Sequence, residues 1–183
     1  MIPPSPDSPR HSFWRDLTGQ GDRWVRTLVL AVVIGRLSLF AVGAVIIAAV
    51  SALAPGEVGR ALDQYSGLTD VLSVEWVFVA LVFAPVTESL AIRLVVWLLG
   101  RRPRPGWSAP ATALTCGLLA IPLHGLGPVS LAVAPFFALM AAIQHHWMNR
   151  GRGWAGFWLI TAIHFAANAI ALLTMALLAP GAG

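Results

Sequence analysis

The sequence contains no lysine, a single cysteine and few charged residues of either sign. Of its 183 residues 57% are hydrophobic and only 11% are charged, whereas a soluble domain carries about a quarter charged residues. This shortage of charge excludes an ordinary soluble domain and predicts a polytopic membrane protein. Cys116 has no second cysteine to pair with, so an intrachain disulfide is excluded.

Several signatures of enzymes and of nucleic-acid binding are also missing. There is no His-Glu-x-x-His helix of the zincin type and no Gly-x-Ser-x-Gly elbow. No aspartate lies inside a long apolar run, which excludes an intramembrane aspartyl dyad. The net charge is +4, but the arginines lie in short links between apolar runs rather than on one basic face. Membrane topology explains that placement, so we expect no nucleic-acid partner.

Five long apolar runs predict an all-α fold, a polytopic transmembrane helical bundle of about five spans. A helix needs about 20 residues to cross a hydrocarbon core of roughly 30 Å. The polar, proline- and serine-rich residues 1–24 are interpreted as a mobile tail, and 25–183 as the transmembrane domain. The predicted spans are 27–53, 76–99, 107–123, 128–147 and 154–178.

The distribution of arginine predicts the orientation of the bundle. Arginines precede the first span and follow the second and the fourth, whereas the link after the first span is mostly acidic. The positive-inside rule therefore places the N-terminus in the cytosol and the C-terminus outside. Most tryptophans, including Trp147, fall near predicted span ends, as an interfacial aromatic belt requires. His145 and His146 are interpreted as interfacial for the same reason.

Four polar residues inside or at the end of the apolar runs are the candidate functional residues, since ionisable groups at membrane depth are costly and usually functional. Glu88 lies near the middle of the second span and is a candidate general base. His164 and Asn168 share one helix face, and can stabilise an oxyanion or hydrogen-bond to another helix. By counting, His124 lies nearer the outer surface, unless a kink at Pro122 or an inserted hairpin lowers it.

We predict that Glu88, His124, His164 and Asn168 line one cavity, because separate burial would leave unsatisfied polar groups in lipid. Glu88, His124 and His164 can ligate Zn²⁺ with an open position, and they can also act without a metal. Arg93 lies about 140° around the helix from Glu88 and is poorly placed to pair with it. It either snorkels to the cytosolic surface or braces the site from a neighbouring face.

Three short motifs occur in a fixed order between about residues 75 and 175. They are Glu88-Ser89-Leu90-Ala91-Ile92-Arg93, then Ala120-Ile121-Pro122-Leu123-His124, then His164-Phe165-Ala166-Ala167-Asn168. In these motifs the chain resembles the CPBP family, which includes the CAAX proteases and bacteriocin-processing enzymes and is also called the Abi family. It departs from the family at Ser89, where a second glutamate is usual, and at Ala120, where an aromatic residue is usual.

The resemblance implies an intramembrane endopeptidase in the plasma (inner) membrane of a bacterium, acting on a peptide or a membrane-anchored protein segment. Glu88, helped by His124, would take a proton from water, and the hydroxide would attack a peptide carbonyl. His164 and Asn168 would stabilise the oxyanion. Both metal-dependent and glutamate-type mechanisms are attached to the family, so Zn²⁺ stays open.

The departures at Ser89 and Ala120 favour an alternative function for the same fold. In this alternative the chain is a non-catalytic membrane protein that binds a peptide or acts as an immunity or scaffolding factor. The retained Glu88, His124, His164 and Asn168 oppose it. A transporter or channel subunit is not favoured, because the polar residues form one cluster rather than a stripe across the membrane.

Overall fold

The computed structural model describes residues 24–53, 56, 73–100, 108–124 and 128–178, and all regular structure in these ranges is helical. This confirms the predicted all-α polytopic bundle, and the helix ends fall close to those predicted from the apolar runs. The helices are α1 (Trp24–Leu53), α2 (Val74–Gly100), α3 (Ser108–Leu123), α4 (Pro128–Met148) and α5 (Gly153–Leu178). The predicted tail and the links at 54–72 and 101–107 lie outside the described residues, apart from Gly56.

Four of these helices are long and apolar enough to cross a membrane, and α3 is the shorter one. With 16 residues, α3 is about 24 Å long at 1.5 Å per residue, less than the roughly 30 Å of a hydrocarbon core. These four helices indicate a membrane protein, and α3 lies beside them as a shorter apolar helix whose predicted crossing stays a prediction.

Helix α4 occupies the centre of the bundle and contacts each of the other four helices. Half of its most apolar window is buried, against 17–33% for the three other crossing helices. Its buried side chains, with those of α5, form most of the apolar core: Phe136, Phe137, Met140, Ile143, Leu159, Ile160 and Ile163. The outer faces of the helices carry exposed leucine, valine and phenylalanine, as expected of surfaces that face lipid.

The end of α4 packs inward, so Trp147 and His145 are covered by protein although they lie in the last turn of the helix, near the predicted span end. Trp147 is 2% exposed and His145 is 8% exposed. A Cβ added at Gly156 of α5 would lie 2.7 Å from Trp147 Cβ, so only glycine allows this approach. Buried Gln144 donates from Nε2 to the Gly153 carbonyl at 3.0 Å. Trp76, Trp97 and Trp154, by contrast, are exposed.

Candidate active site

Three of the predicted site residues, from three different helices, meet at one place. Glu88 lies about 21 Å along α2 and His164 about 16 Å along α5, so both are near the middle of their helices. Glu88 Oε2 is 3.6 Å from His164 Nε2, and Glu88 Oε1 is 4.0 Å from His124 Nε2. The structure thus brings these three side chains together, but of the four residues predicted to line one cavity only Glu88 lines the pocket described below.

His124 reaches Glu88 because its ring folds back along α3. Its Nδ1 lies 2.8 Å from the main-chain oxygen of Ala120, one turn earlier. The His124 carbonyl accepts a hydrogen bond from Ser130 Oγ at 3.0 Å, which ties the end of α3 to the first turn of α4. The folded-back ring therefore lies beside the last turn of α3 rather than beyond its end. Counting residues had placed His124 nearer the outer surface than Glu88, but in the structure the two side chains are neighbours.

The bond to Ala120 also determines which nitrogen of His124 carries the proton. A carbonyl oxygen can only accept, so Nδ1 donates, and Nε2 of the neutral ring is an acceptor. When Glu88 is ionised, its carboxylate is also an acceptor. In that state two acceptors face each other across 4.0 Å, which is too long for a direct hydrogen bond. A water molecule that donates one hydrogen to each would satisfy both.

Two phenylalanines of α4 pack against the histidines, of which His124 keeps a 30% exposed side chain. The Phe137 ring centroid lies 5.1 Å from that of His124 and 5.7 Å from that of His164, both edge-on. Phe136 packs edge-on against His164 at 5.6 Å. The His164 side chain is 5% exposed, and its Nδ1 has no hydrogen-bond partner among the described residues. His164 thus presents Nε2 to Glu88 from an apolar enclosure.

Asn168 shares a helix face with His164 as predicted, but its amide is engaged with α2. Its Nδ2 donates to the main-chain oxygen of Ala80 at 2.7 Å. Ala80 lies in a π-helical turn, Val79–Phe83, about two turns before Glu88. This contact corresponds to the interhelical role considered above. The side-chain amide nitrogen carries two hydrogens, so the second N–H of Asn168 is not used by the hydrogen bond to Ala80.

Pro85 explains why Ala80 needs a partner from another helix. In an α-helix the carbonyl of Ala80 would accept a hydrogen bond from the N–H of Ala84. Here that N–H donates to Val79 O instead, five residues back. The next N–H along the chain would belong to residue 85, but proline has none. Ala80 O is left without that partner, and buried carbonyls rarely remain unpaired. The side chain of Asn168 supplies the missing donor.

Arg93 packs against the start of α5, which supports bracing from a neighbouring face. Its Cζ lies 4.1 Å from the ring centroid of Trp154. A Cβ at Gly153 would lie 2.7 Å from Arg93 Nη1, so the glycine makes room for the guanidinium. Among the described residues, Arg93 forms no ion pair with Glu88.

A pocket opens between α2 and α3 beside the carboxylate of Glu88. Its cavity volume is about 60 Å³, and apart from Glu88 its lining is hydrophobic. Cys116 and Ala120 of α3 and Phe137 of α4 form part of its wall. The pocket therefore joins a carboxylate to an apolar surface.

The structure also bears on the predicted Zn²⁺ ligands. Within the described ranges, no group of three or more His, Cys, Asp or Glu side chains is arranged to hold a metal ion. Glu88, His124 and His164 are close together, but the two Nε2 atoms lie against different oxygens of one carboxylate.

Several residues of the site were not identified from the sequence. Phe136 and Phe137 were missed, although two adjacent phenylalanines among the small residues of α4 were a visible signal. Pro85 was missed as well, although a proline three residues before Glu88 in an apolar run predicts a disturbed helix. Gly153 was missed too, and it is a packing position for Arg93.

Comparisons of the chain with family models, with curated proteins and with solved structures found no match. The resemblance to the CPBP family therefore depends on the three short motifs. Because a fold does not by itself imply a function, the function has to be argued from the geometry of the site.

Proposed function

We propose that this chain is an intramembrane endopeptidase of the CPBP type, which hydrolyses a peptide bond in a peptide or a membrane-anchored protein. The main support is the pair of acceptors, Glu88 Oε1 and His124 Nε2, 4.0 Å apart inside an otherwise apolar bundle. A water held by two acceptors is polarised at its oxygen, as a nucleophile requires. The retained order of the three motifs is the second support.

In the proposed reaction Glu88 is the base and then the acid. Its carboxylate takes a proton from the water while the water oxygen bonds to the carbonyl carbon of the peptide. The C–N bond of the tetrahedral intermediate then breaks, and Glu88 returns the proton to the departing amine. His124 Nε2 accepts the other hydrogen bond of the water and orients it.

His164 and Asn168 are the proposed donors to the oxyanion. His164 Nε2 lies 3.6 Å from Glu88 Oε2, beyond hydrogen-bond distance, and its N–H is the one assigned to the oxyanion. Asn168 holds α5 against the turn of α2 that precedes Glu88, and its second N–H is the one assigned to the oxyanion. Donors placed in advance in this way contribute most when water is excluded.

The proposed location is the plasma (inner) membrane of a bacterium, with the N-terminus in the cytosol. The four helices long and apolar enough to cross a membrane support a membrane location, and the arginine distribution supports the orientation. The partners are then the lipid bilayer and the peptide or membrane-protein substrate.

The test of this function is Glu88→Gln, which keeps size and removes the base. Purified protein in liposomes is incubated with a panel of hydrophobic fluorogenic peptides, and cleavage is followed by mass spectrometry. Cleavage is expected to fall by roughly 10²–10⁴-fold at unchanged membrane abundance. The matched control is Glu75→Gln, at an exposed position of the same helix, which should cleave normally. Equal cleavage by wild type and Glu88→Gln would remove the peptidase assignment.

A chelator separates the glutamate-type mechanism from a metal-dependent one. With Glu88 and His124 acting on water directly, the activity should survive dialysis against 1,10-phenanthroline. Loss of activity that Zn²⁺ restores would instead make Glu88, His124 and His164 metal ligands.

The alternative, a non-catalytic peptide-binding, immunity or scaffolding protein, is favoured by two observations. Asn168 is already engaged in an interhelical hydrogen bond, and Ser89 is fully buried where the family's second glutamate would stand. Full biological activity of both Glu88→Gln and Asn168→Ala at normal membrane abundance would select this alternative.

A further inference from the structure

Arg36 places a positive charge close to the middle of α1. It is the thirteenth of the 30 residues of this helix, so at 1.5 Å per residue it lies about 18 Å from Trp24 and about 26 Å from Leu53. From Thr27 to Leu53 it is the only charged residue in the sequence. An arginine at membrane depth is costly, and such residues almost always have a partner or a function.

The guanidinium of Arg36 has no anionic partner within the described part of the chain. Its Nε is buried and has no hydrogen-bond acceptor there. Its Cζ lies 5.5 Å from the ring centroid of Phe40, one turn further along α1. An arginine that snorkels extends towards the nearer end of its helix, whereas Phe40 lies in the direction of the farther end. The charge of Arg36 is therefore held inside the crossing segment and still lacks an anion.

An apolar groove continues from Arg36 along the same face of α1. Phe40, Gly43 and Ile47 line this α1 groove, and Ala132 of α4 forms part of its other side. These three residues of α1 follow Arg36 at intervals of three or four, which places them on one helix face with it. A Cβ at Gly43 would lie 3.9 Å from Ala132 Cβ, so α1 and α4 pack closely here. Arg36 thus stands at one end of an apolar surface.

We infer that the α1 groove docks a transmembrane helix of another membrane protein, and that a glutamate or aspartate near the middle of that helix pairs with Arg36. The α1 groove shares no lining residue with the pocket beside Glu88. The docking surface is therefore separate from the proposed catalytic residues, and the inference does not depend on the proposed function.

The depth of Arg36 determines which anions can reach it. Lipid phosphates lie outside the hydrocarbon core, which is roughly 30 Å thick, whereas Arg36 lies within about 4 Å of the midpoint of α1. An acyl chain fills an apolar groove but brings no charge to this depth. A helix that crosses the membrane can carry a carboxylate at its middle, so it matches both the apolar groove and the cation at its end.

The pairing relieves a cost on both sides. A carboxylate on a single crossing helix is as costly in hydrocarbon as Arg36 is, and a guanidinium can donate two parallel hydrogen bonds to it. Gly43 and Ala44 are small residues of the groove lining, and small residues let a second helix approach closely.

A second copy of this chain does not supply the matching anion. The acidic residues of its described helices are Glu75, near the start of α2, and Glu88. Glu75 lies close to a helix end rather than at mid-depth, and Glu88 faces His124 and His164. Charge complementarity therefore favours a different protein as the partner.

Binding is measured with the full chain in phosphatidylcholine liposomes and with synthetic helices of leucine and alanine. The probes are about 20 residues long, enough to span the bilayer, and carry photo-leucine beside a central glutamate. Two comparison peptides carry a central glutamine, or the glutamate within one turn of an end. After irradiation, crosslinks are mapped by mass spectrometry and their yield is followed against the peptide-to-lipid ratio.

The peptide with the central glutamate should crosslink to α1 between Leu39 and Ile47. It should also bind roughly tenfold more tightly than either comparison peptide, as expected for a polar contact between helices in a membrane. Equal binding of the glutamate and glutamine peptides would overturn the inference, and so would crosslinks confined to other helices. This comparison needs no altered protein, so it decides the question even where a variant fails to insert.

Variants of Arg36 test the pair itself. Arg36→Gln should weaken binding of the central-glutamate peptide roughly tenfold, and Arg36→Glu should instead prefer a peptide with a central lysine. Ala44→Phe, at an exposed position of the groove lining, should weaken binding by obstructing the groove. The control Arg150→Gln removes an exposed arginine that follows α4, and it should bind as the wild type does. Equal binding by Arg36→Gln and Arg150→Gln would contradict the inference.

Two other occupants of the α1 groove give results that can be distinguished from these. Displacement of the peptide by phosphatidylglycerol, abolished in Arg36→Gln, would make the groove a lipid site. Energy transfer between differently labelled copies of the chain, lost in Arg36→Gln, would make it a dimer interface. Either result would overturn the inference. The Glu88→Gln protein should bind the peptide as the wild type does, so the outcome is independent of any cleavage.

Discussion

The hydrogen bond from His124 Nδ1 to the Ala120 carbonyl decides the chemistry of the other ring nitrogen. Because Nδ1 is used as a donor, Nε2 faces Glu88 as an acceptor. The imidazole also packs edge-on against Phe137 at 5.1 Å. One residue thus combines an apolar contact with a polar role, and a suitable substitution separates the two.

His124→Phe keeps an aromatic ring beside Phe137 and removes both nitrogens. If His124 Nε2 orients the attacking water, peptide cleavage should fall by roughly 10²–10⁴-fold with little change in thermal unfolding. His146→Phe is the control, since His146 is a partly buried histidine of α4 outside the site, and it should cleave normally. Unaltered cleavage by His124→Phe would exclude a role for this imidazole in the reaction.

Gly35 of α1 supports His164 through an intermediate ring. A Cβ at Gly35 would lie 2.5 Å from Phe136 Cδ2, so Gly35→Ala must displace the Phe136 ring. Gly35→Ala should therefore lower stability by about 1–3 kcal/mol, as overpacking does, and reduce cleavage. Gly43→Ala is matched, since its Cβ would meet only Ala132 Cβ at 3.9 Å, and it should be neutral. Thermal unfolding in detergent measures both, and equal effects would contradict this account.

Among the helices, α2 carries the most consequential irregularity. Pro85 leaves Ala80 O without an intrahelical donor, and the π-helical turn Val79–Phe83 lies immediately before it. π-helical turns are rare and occur frequently at functional sites. Here the free carbonyl is used to bind α5 through Asn168, which keeps the two helices in the register that joins Glu88 to His164.

A double-mutant cycle tests this explanation of the π-helical turn. Asn168→Ala alone leaves Ala80 O unpaired and should cost about 1–3 kcal/mol. Pro85→Ala restores an N–H that can pair with Ala80 O, so Asn168→Ala should cost less in that background. A coupling of roughly 1 kcal/mol, measured by unfolding, is expected for groups in one network. The same cycle with Pro135→Ala, in α4, should be additive. Additivity at Pro85 would show that proline is not the cause.

For the whole molecule, the arrangement of charge predicts which links face the cytosol. The links at 101–104 and 150–152 should lie on the cytosolic side together, with 55–75 outside. Because Cys116 is the only cysteine, a Cys116→Ala background allows single cysteines to be introduced at Pro103 and Ser66. A membrane-impermeant maleimide should label position 66 and not position 103 in intact cells. Labelling of position 103 from outside would reverse the orientation.

Much of the architecture could be predicted from the sequence because a bilayer allows few solutions. Without water, main-chain groups must pair within each crossing segment, so a long apolar run becomes a helix. The predicted spans therefore match α1, α2, α4 and α5 closely. Polar side chains are costly in the hydrocarbon layer, so Glu88, His124 and His164 could be identified within the apolar runs. The spacing of four residues placed His164 and Asn168 on one helix face.

Only the tertiary structure decided how those residues are used. The ring of His124 folds back to Ala120, Asn168 is recruited by the carbonyl that Pro85 leaves free, and Arg93 lies on Trp154. Each of these contacts depends on how one helix is shifted and rotated relative to another. Glycines and other small side chains determine those shifts and rotations, because they let helices pack closely. No local period of the sequence encodes such relations, because apolar runs of this kind face lipid and protein with similar side chains.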